Sequence, residues 1–179
     1  MRKLGIIGGT SWNSTALYYD HINCEVARRL GGLSSAPLAI ESINLAPYAA
    51  LQAAGDHDSA EAIIVAAARN LAAAGAEALL IASNTTNRYA PAVGEATGLP
   101  LLDIAEPTIA RLTADGRRRI ALLGTRFVMT EPFARERYEA AGLEVAPIGN
   151  DWVMTVDRII FGELARGIIR RDSQRAFKT

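Results

Sequence analysis

Short apolar runs of strand length alternate along the chain with longer stretches of helical period. Lys3–Gly8 (KLGIIG) is an apolar run closed by glycine and predicts a buried strand. Ser14–Leu30 then carries Leu17, Tyr18, Ile22, Val26 and Leu30 at helical spacing, and Gly31-Gly32 ends it as a C-terminal cap. Pro37–Ile43 predicts a second strand. Asp58–Ala74 predicts an alanine-rich helix with Asp58 or Ser59 at its N-cap. Ala78–Ser83 (ALLIAS) predicts a third strand, and Asn84–Thr97 a helix that Pro91 kinks or interrupts. Further strands are expected at Leu99–Asp103, Arg119–Leu123 and Leu143–Ala146. Helices are expected at Pro107–Ala114, Pro132–Ala141 and Val153–Arg166, with a last one from Asp172 to Thr179.

Strands separated by helix-length segments imply βαβ units, hence an α/β fold with parallel sheets flanked by helices. In such sheets ligands bind beyond the carboxyl ends of the strands. The loops after Ile7, Ser42, Ile81 and Leu123 are therefore where chemistry is expected. Leu4–Thr10 (LGIIGGT) is echoed by Ile120–Thr125 (IALLGT), a strand ending in Gly-Thr about 115 positions later. The echo predicts two similar lobes, 1–98 and 99–179, with a boundary near Gly98–Pro100.

Composition narrows the function. Lys plus Arg and Asp plus Glu are both 19, so the formal charge is zero and no basic face for nucleic acid is expected. No apolar run approaches a membrane span, and the run in MRKLGIIGGTSW is too short for a secretory signal. One cysteine, Cys24, permits no internal disulfide, which fits a cytoplasmic location. His21 and His57 lie outside metal-ligand spacing, so no metal is expected.

Four segments carry candidate chemistry. Gly8-Gly9-Thr10-Ser11 allows a tight turn and close backbone approach to an anion near a helix start. A plain turn capped by Ser11, Ser14 or Thr15 accounts for the same residues. The segment has neither the GK[ST] ending of a phosphate loop nor GxGxxG, which disfavours a nucleotide. Ser83-Asn84-Thr85-Thr86-Asn87 places five small polar residues directly after a strand, more than a helix cap needs. Thr125 stands in the second lobe where Thr10 stands in the first. Gln52, with Tyr48, lies in a loop after the second strand that can reach over the site, or else begins a solvated helix. Cys24 falls inside a helix, and Trp12, Tyr18 and Tyr19 are read as packing residues.

GIIGGTSWNST with the following YY, RLGGLSSA, AGAEALLIASNT, LPLLDIAE, IALLGTRFVM and IIFGEL, in that order and spacing, resemble the aspartate/glutamate racemase family. The resemblance runs along essentially the whole chain. It implies two pseudo-symmetric α/β lobes and racemisation of acidic or other amino acids without pyridoxal phosphate, metal or other cofactor. It also implies a homodimer and a small amino acid or dicarboxylate as ligand. Two cysteines, one per lobe, face opposite sides of the substrate Cα; one thiolate removes the α-proton and the other thiol delivers one. By this resemblance Thr10, Gln52, Ser83, Asn84, Thr85 and Thr125 contact the substrate.

The chain departs from the family pattern at the thiols. Ala82 occupies the position of the first cysteine, in Ala82-Ser83-Asn84-Thr85, and Asn87 stands where similar proteins often carry histidine. The second cysteine is expected at about position 197, beyond Thr179, so the second lobe reads as incomplete. Three functions remain open: a racemase impaired by Ala82, a one-thiol decarboxylase or isomerase of the same superfamily, and a non-catalytic carboxylate-binding protein.

Overall fold

The four apolar runs of the first hundred residues pair side by side. In the computed structural model, which describes residues 1–177, they are β1 (Leu4–Gly8), β2 (Leu38–Ser42), β3 (Ala78–Ile81) and β4 (Leu101–Leu102). They form a wholly parallel sheet in the order β2-β1-β3-β4. Leu4 of β1 lies opposite Leu38 on one side and Ala78 on the other.

The order of the strands decides which face each helix covers. The chain leaves β1 for β2 in one direction, then passes back beyond β1 to β3 and on to β4. Right-handed crossovers therefore put α1 (Trp12–Leu30) on one face, and α3 (His57–Ala73) and α4 (Ala90–Thr97) on the other. The side chains agree. Ile6, Leu80 and Ala82 pack with Tyr18 and Ile22 on the α1 side. Ile7, Leu79 and Ile81 pack with Ala60, Ile64, Leu71 and Val93 on the other. Burying each large aliphatic side chain there contributes about 1.5–3 kcal/mol.

Contacts divide the chain into two compact units, Met1–Ile104 and Ala105–Thr179. The sequence boundary at Gly98–Pro100 lies slightly earlier. β4 pairs with β3, which keeps residues up to Ile104 with the first unit. The second unit holds α5 (Ala105–Ala114), β5 (Arg119–Ile120), α6 (Arg126–Thr130), α7 (Pro132–Ala140), β6 (Glu144–Val145), α8 (Asn150–Gly162) and α9 (Arg171–Ala176). β5 and β6 pair in parallel. Tyr138, Leu143 and Val145 form one small core, and Met129, Val153 and Val156 another.

Several expectations are corrected. Of the two readings around Tyr48 and Gln52, a loop or the start of a solvated helix, the helix holds as α2 (Leu45–Ala54), capped by Asn44 and ended by Gly55 in the left-handed conformation, but Tyr48 and Gln52 are buried in it and not solvated. α1 begins at Trp12, because Ser11 rather than Ser14 or Thr15 is the cap. α3 is capped by Asp56, not Asp58 or Ser59. The helix expected from Asn84 opens as a 3-10 turn, Thr86–Tyr89, and Pro91 sits in the first turn of α4, where its missing N–H costs nothing. β5 and β6 are two residues each, shorter than expected, and α6 was not anticipated. α8 starts and stops earlier than Val153–Arg166, with a separate 3-10 turn at Leu164–Arg166 before Gly167. The last helix is α9, and the remainder of the expected run to Thr179 lies outside the described residues. Trp12 and Tyr19 are 65 % and 52 % exposed, so neither is a core packing residue; Tyr18 alone is half-buried.

Candidate functional site

Because β1 leads to a neighbour on one side and β3 arrives on the other, the carboxyl ends of β1 and β3 flank a topological switch point. At that edge the Ala82 N–H donates to the Ile7 carbonyl (2.9 Å) and the Ile43 N–H to the Gly8 carbonyl (3.1 Å). Three strand ends are thus tied together directly beneath the loops singled out by sequence.

On the β1 side, Gly9 adopts a φ of 84°, and a side chain there would run into the backbone of Ile43. Only glycine fits this turn. Its N–H donates to Thr15 Oγ1 at 2.9 Å, and the Thr15 hydroxyl donates to the Ser11 carbonyl at 3.1 Å. Ser11 Oγ accepts from the Ser14 N–H, capping α1. Thr10, half-buried, is held between the strand end and the positive end of a 19-residue helix.

On the β3 side, Ala82 is 3 % exposed and shares a buried cluster with Ile6 and Leu80, against which Tyr18 and Ile22 pack. Ser83 is half-buried, Asn84 exposed and Thr85 buried. Asn87 folds back under this turn, its Nδ2 donating to the carbonyls of Ser83 (2.6 Å) and Ile81 (3.2 Å). Asn87 Oδ1 is buried and has no hydrogen-bond partner among the described residues.

α2 carries Tyr48 and Gln52, candidates in the sequence, but buries them instead of leaving them in a loop or on a solvated helix. Tyr48 and Gln52, one turn apart, are 1 % and 5 % exposed. Gln52 Nε2 donates to Tyr48 Oη (3.4 Å), and Tyr48 donates to Thr86 Oγ1 (3.3 Å). The Thr86 hydroxyl in turn donates to Ser83 Oγ (3.1 Å). Burial pushes the Tyr48 phenol up to about 12, so it keeps its proton at neutral pH. The signal in the sequence was the i, i+4 spacing of Tyr48 and Gln52 between Asn44 and Gly55. Gln52 does not sit in a loop.

In the second unit, Thr125 is half-buried at the N-cap of α6. The next N–H, of Arg126, donates to Asp157 Oδ1 at 2.7 Å, which anchors this turn to α8. The Arg126 guanidinium lies over the Phe127 ring, 4.7 Å from its centre. Cys24 is exposed on α1. Among the described residues no cluster of His, Cys, Asp and Glu suits a metal, and no helix is long and apolar enough to cross a membrane.

The model of the Asp/Glu/Hydantoin racemase family matches residues 7–178. The chain belongs to that family. It is similar to a proposed Asp/Glu racemase from Yersinia pestis, at 41 % identity and a TM-score of 0.87, over 99 % of this chain and 77 % of that one. It is also similar to an aspartate racemase homologue from Pyrococcus horikoshii OT3, at 34 % identity and a TM-score of 0.75, over 94 % and 74 % of the two chains. The Picrophilus torridus aspartate racemase shares the fold at 14 % identity and a TM-score of 0.70, over 99 % of this chain and 72 % of that one. Within the Asp/Glu/Hydantoin racemase family, then, this chain is one with alanine at the end of β3.

Proposed function

We propose that the chain holds the carboxylate of an acidic amino acid or another small dicarboxylate at the carboxyl ends of β1 and β3, and is a poor racemase as it stands. The observation that carries this reading is the convergence on one switch point of Thr10, the first turn of α1 and the Ser83–Thr85 turn. All three present donors, and an anion is what donors and a helix N-terminus stabilise. Thr125 is proposed as the second unit's own donor, on the same strand, glycine, threonine and helix pattern.

Racemisation needs a base for the α-proton. The family pattern puts a thiol at position 82, and Ala82 has none to offer. The one cysteine of the chain, Cys24, is exposed on α1 and hydrogen-bonds no closer than 3.9 Å, to Asp20. A missing general base lowers the rate by about 10²–10⁴. Binding is a different matter, because an alanine removes no donor from the cradle.

Titration calorimetry with aspartate and with glutamate tests the binding half. Saturable heat is expected, and no heat together with no thermal shift counts against it. For the chemical half, Ala82→Cys should raise α-proton exchange of aspartate in D₂O above the unsubstituted background. Position 82 is tightly packed, so the variant is expected to lose about 1 kcal/mol of stability. Exchange no faster than background in a folded Ala82→Cys protein would remove the thiol role from this position.

A further inference from the structure

Ser83 sits at the end of a chain of buried hydroxyls that runs in one direction. A hydroxyl has one proton to give and two lone pairs to receive. The amide nitrogen of Gln52 only donates, so the Tyr48 oxygen receives there and its own proton goes to Thr86 Oγ1. Thr86 then gives its hydroxyl proton to Ser83 Oγ, and its backbone N–H points at the same oxygen (3.3 Å). Both lone pairs of Ser83 Oγ are thereby occupied. Its proton has no acceptor among the described residues, and the residue is half-exposed at the strand ends.

We propose that Gln52 and Tyr48 are positioning residues that set the direction of this chain and leave Ser83 able only to donate, so that the ligand group opposite Ser83 must be an acceptor, a carboxylate oxygen. The inference rests on the carboxylate reading above and deepens it. Thr86 is fully buried and Tyr48 is 1 % exposed, so both act on a ligand only through Ser83. The links are long, 3.1–3.4 Å, so each is weak and the direction comes from the whole set. Without the Tyr48 phenol the Thr86 hydroxyl loses the bond that fixes its orientation, is no longer held towards Ser83 Oγ, and the Ser83 proton is no longer confined to the ligand side.

The test is a double-mutant cycle read by calorimetry with aspartate, on the wild type, Tyr48→Phe, Ser83→Ala and the pair. Tyr48→Phe should weaken binding about three- to tenfold, the worth of one hydrogen bond. Ser83→Ala should weaken it at least as much, and Tyr48→Phe should add nothing on top of Ser83→Ala. Gln52→Met, which removes the first donor and keeps the phenol, should repeat the Tyr48→Phe result. Unchanged affinity in Tyr48→Phe, or penalties that add across the cycle, would overturn the proposal; a merely structural Tyr48 lowers the melting temperature without this coupling. A ligand-free measurement separates the two readings. Proton NMR should show a slowly exchanging Thr86 hydroxyl in the wild type that is lost in Tyr48→Phe. A Thr86 hydroxyl equally protected in both proteins overturns the directed chain. Absence of aspartate binding by the wild type sinks the carboxylate reading, and with it the acceptor opposite Ser83, whatever the hydroxyl shows.

Discussion

Thr15 is the one buried residue of α1, and its hydroxyl both receives the Gly9 N–H and gives a proton to the Ser11 carbonyl. It therefore locks the glycine turn to the helix that follows. Thr15→Val keeps the shape and removes both bonds, leaving a buried N–H on Gly9 without an acceptor. The expected loss is about 1–3 kcal/mol, seen in urea unfolding as a lower midpoint at constant slope. A loss under about 0.5 kcal/mol would mean that Gly9 is satisfied elsewhere. At this scale the sequence was partly legible. It offered Ser11, Ser14 and Thr15 as caps for one turn, and only the fold separated their roles. Ser11 caps, and Thr15 binds the strand end. Aromatic residues were less legible. Trp12 and Tyr19 lie on the same helix as Tyr18, yet of the three only Tyr18 packs against the cluster of Ile6 and Leu80.

Helices α2 and α3 show what local sequence signals do and do not reveal. The alanine-rich periodicity predicts α3, while the Tyr48–Gln52 segment reads equally as a loop or as the start of a helix. α2 is ten residues long and carries Pro47 in its first turn, a position that proline tolerates but that looks like a breaker when read alone. The two helices meet at Gly55 and Asp56. Asp56 caps α3, accepting from both the side chain and the backbone N–H of Ser59, and its carboxyl is held below the ordinary 3.8 by those bonds and by His57. A carboxylate with a lowered folded pKa stabilises the protein above its unfolded value, and that contribution is lost as the pH falls through the folded pKa. Asp56→Asn keeps a capping oxygen without the charge. Wild type and variant, unfolded chemically from about pH 7 down to about pH 3, should differ most near neutrality and converge in acid. A gap that stays constant with pH would show that the charge contributes nothing to the cap.

At the scale of the whole molecule, the two units are built to different depths. In the first, β1 is paired on both sides and covered on both faces by the clusters around Ile6 and Ile7. In the second, β5 and β6 share two residue pairs, and the cores around Tyr138 and Val156 are small. A two-stranded sheet is marginal by itself, and local opening follows the density of buried contacts. Amide hydrogen exchange should therefore be slowest at Ile6, Ile7 and Leu79–Ile81, and measurably faster at Ile120 and Val145. Equal protection in the two units would contradict this order.

By itself the sequence determined the α/β class, the central strands, the glycine turn after β1 and the polar turn after β3, because period, glycine and capping residues are local signals. It also showed that position 82 is alanine. Only the tertiary structure decided that the two turns flank one switch point, since strand order is a matter of long-range pairing. The fold likewise decided that Tyr48 and Gln52 lie beneath Ser83 instead of over it. The Tyr48 hydrogen bond to Thr86 joins residues 38 positions apart, and no local pattern encodes that link.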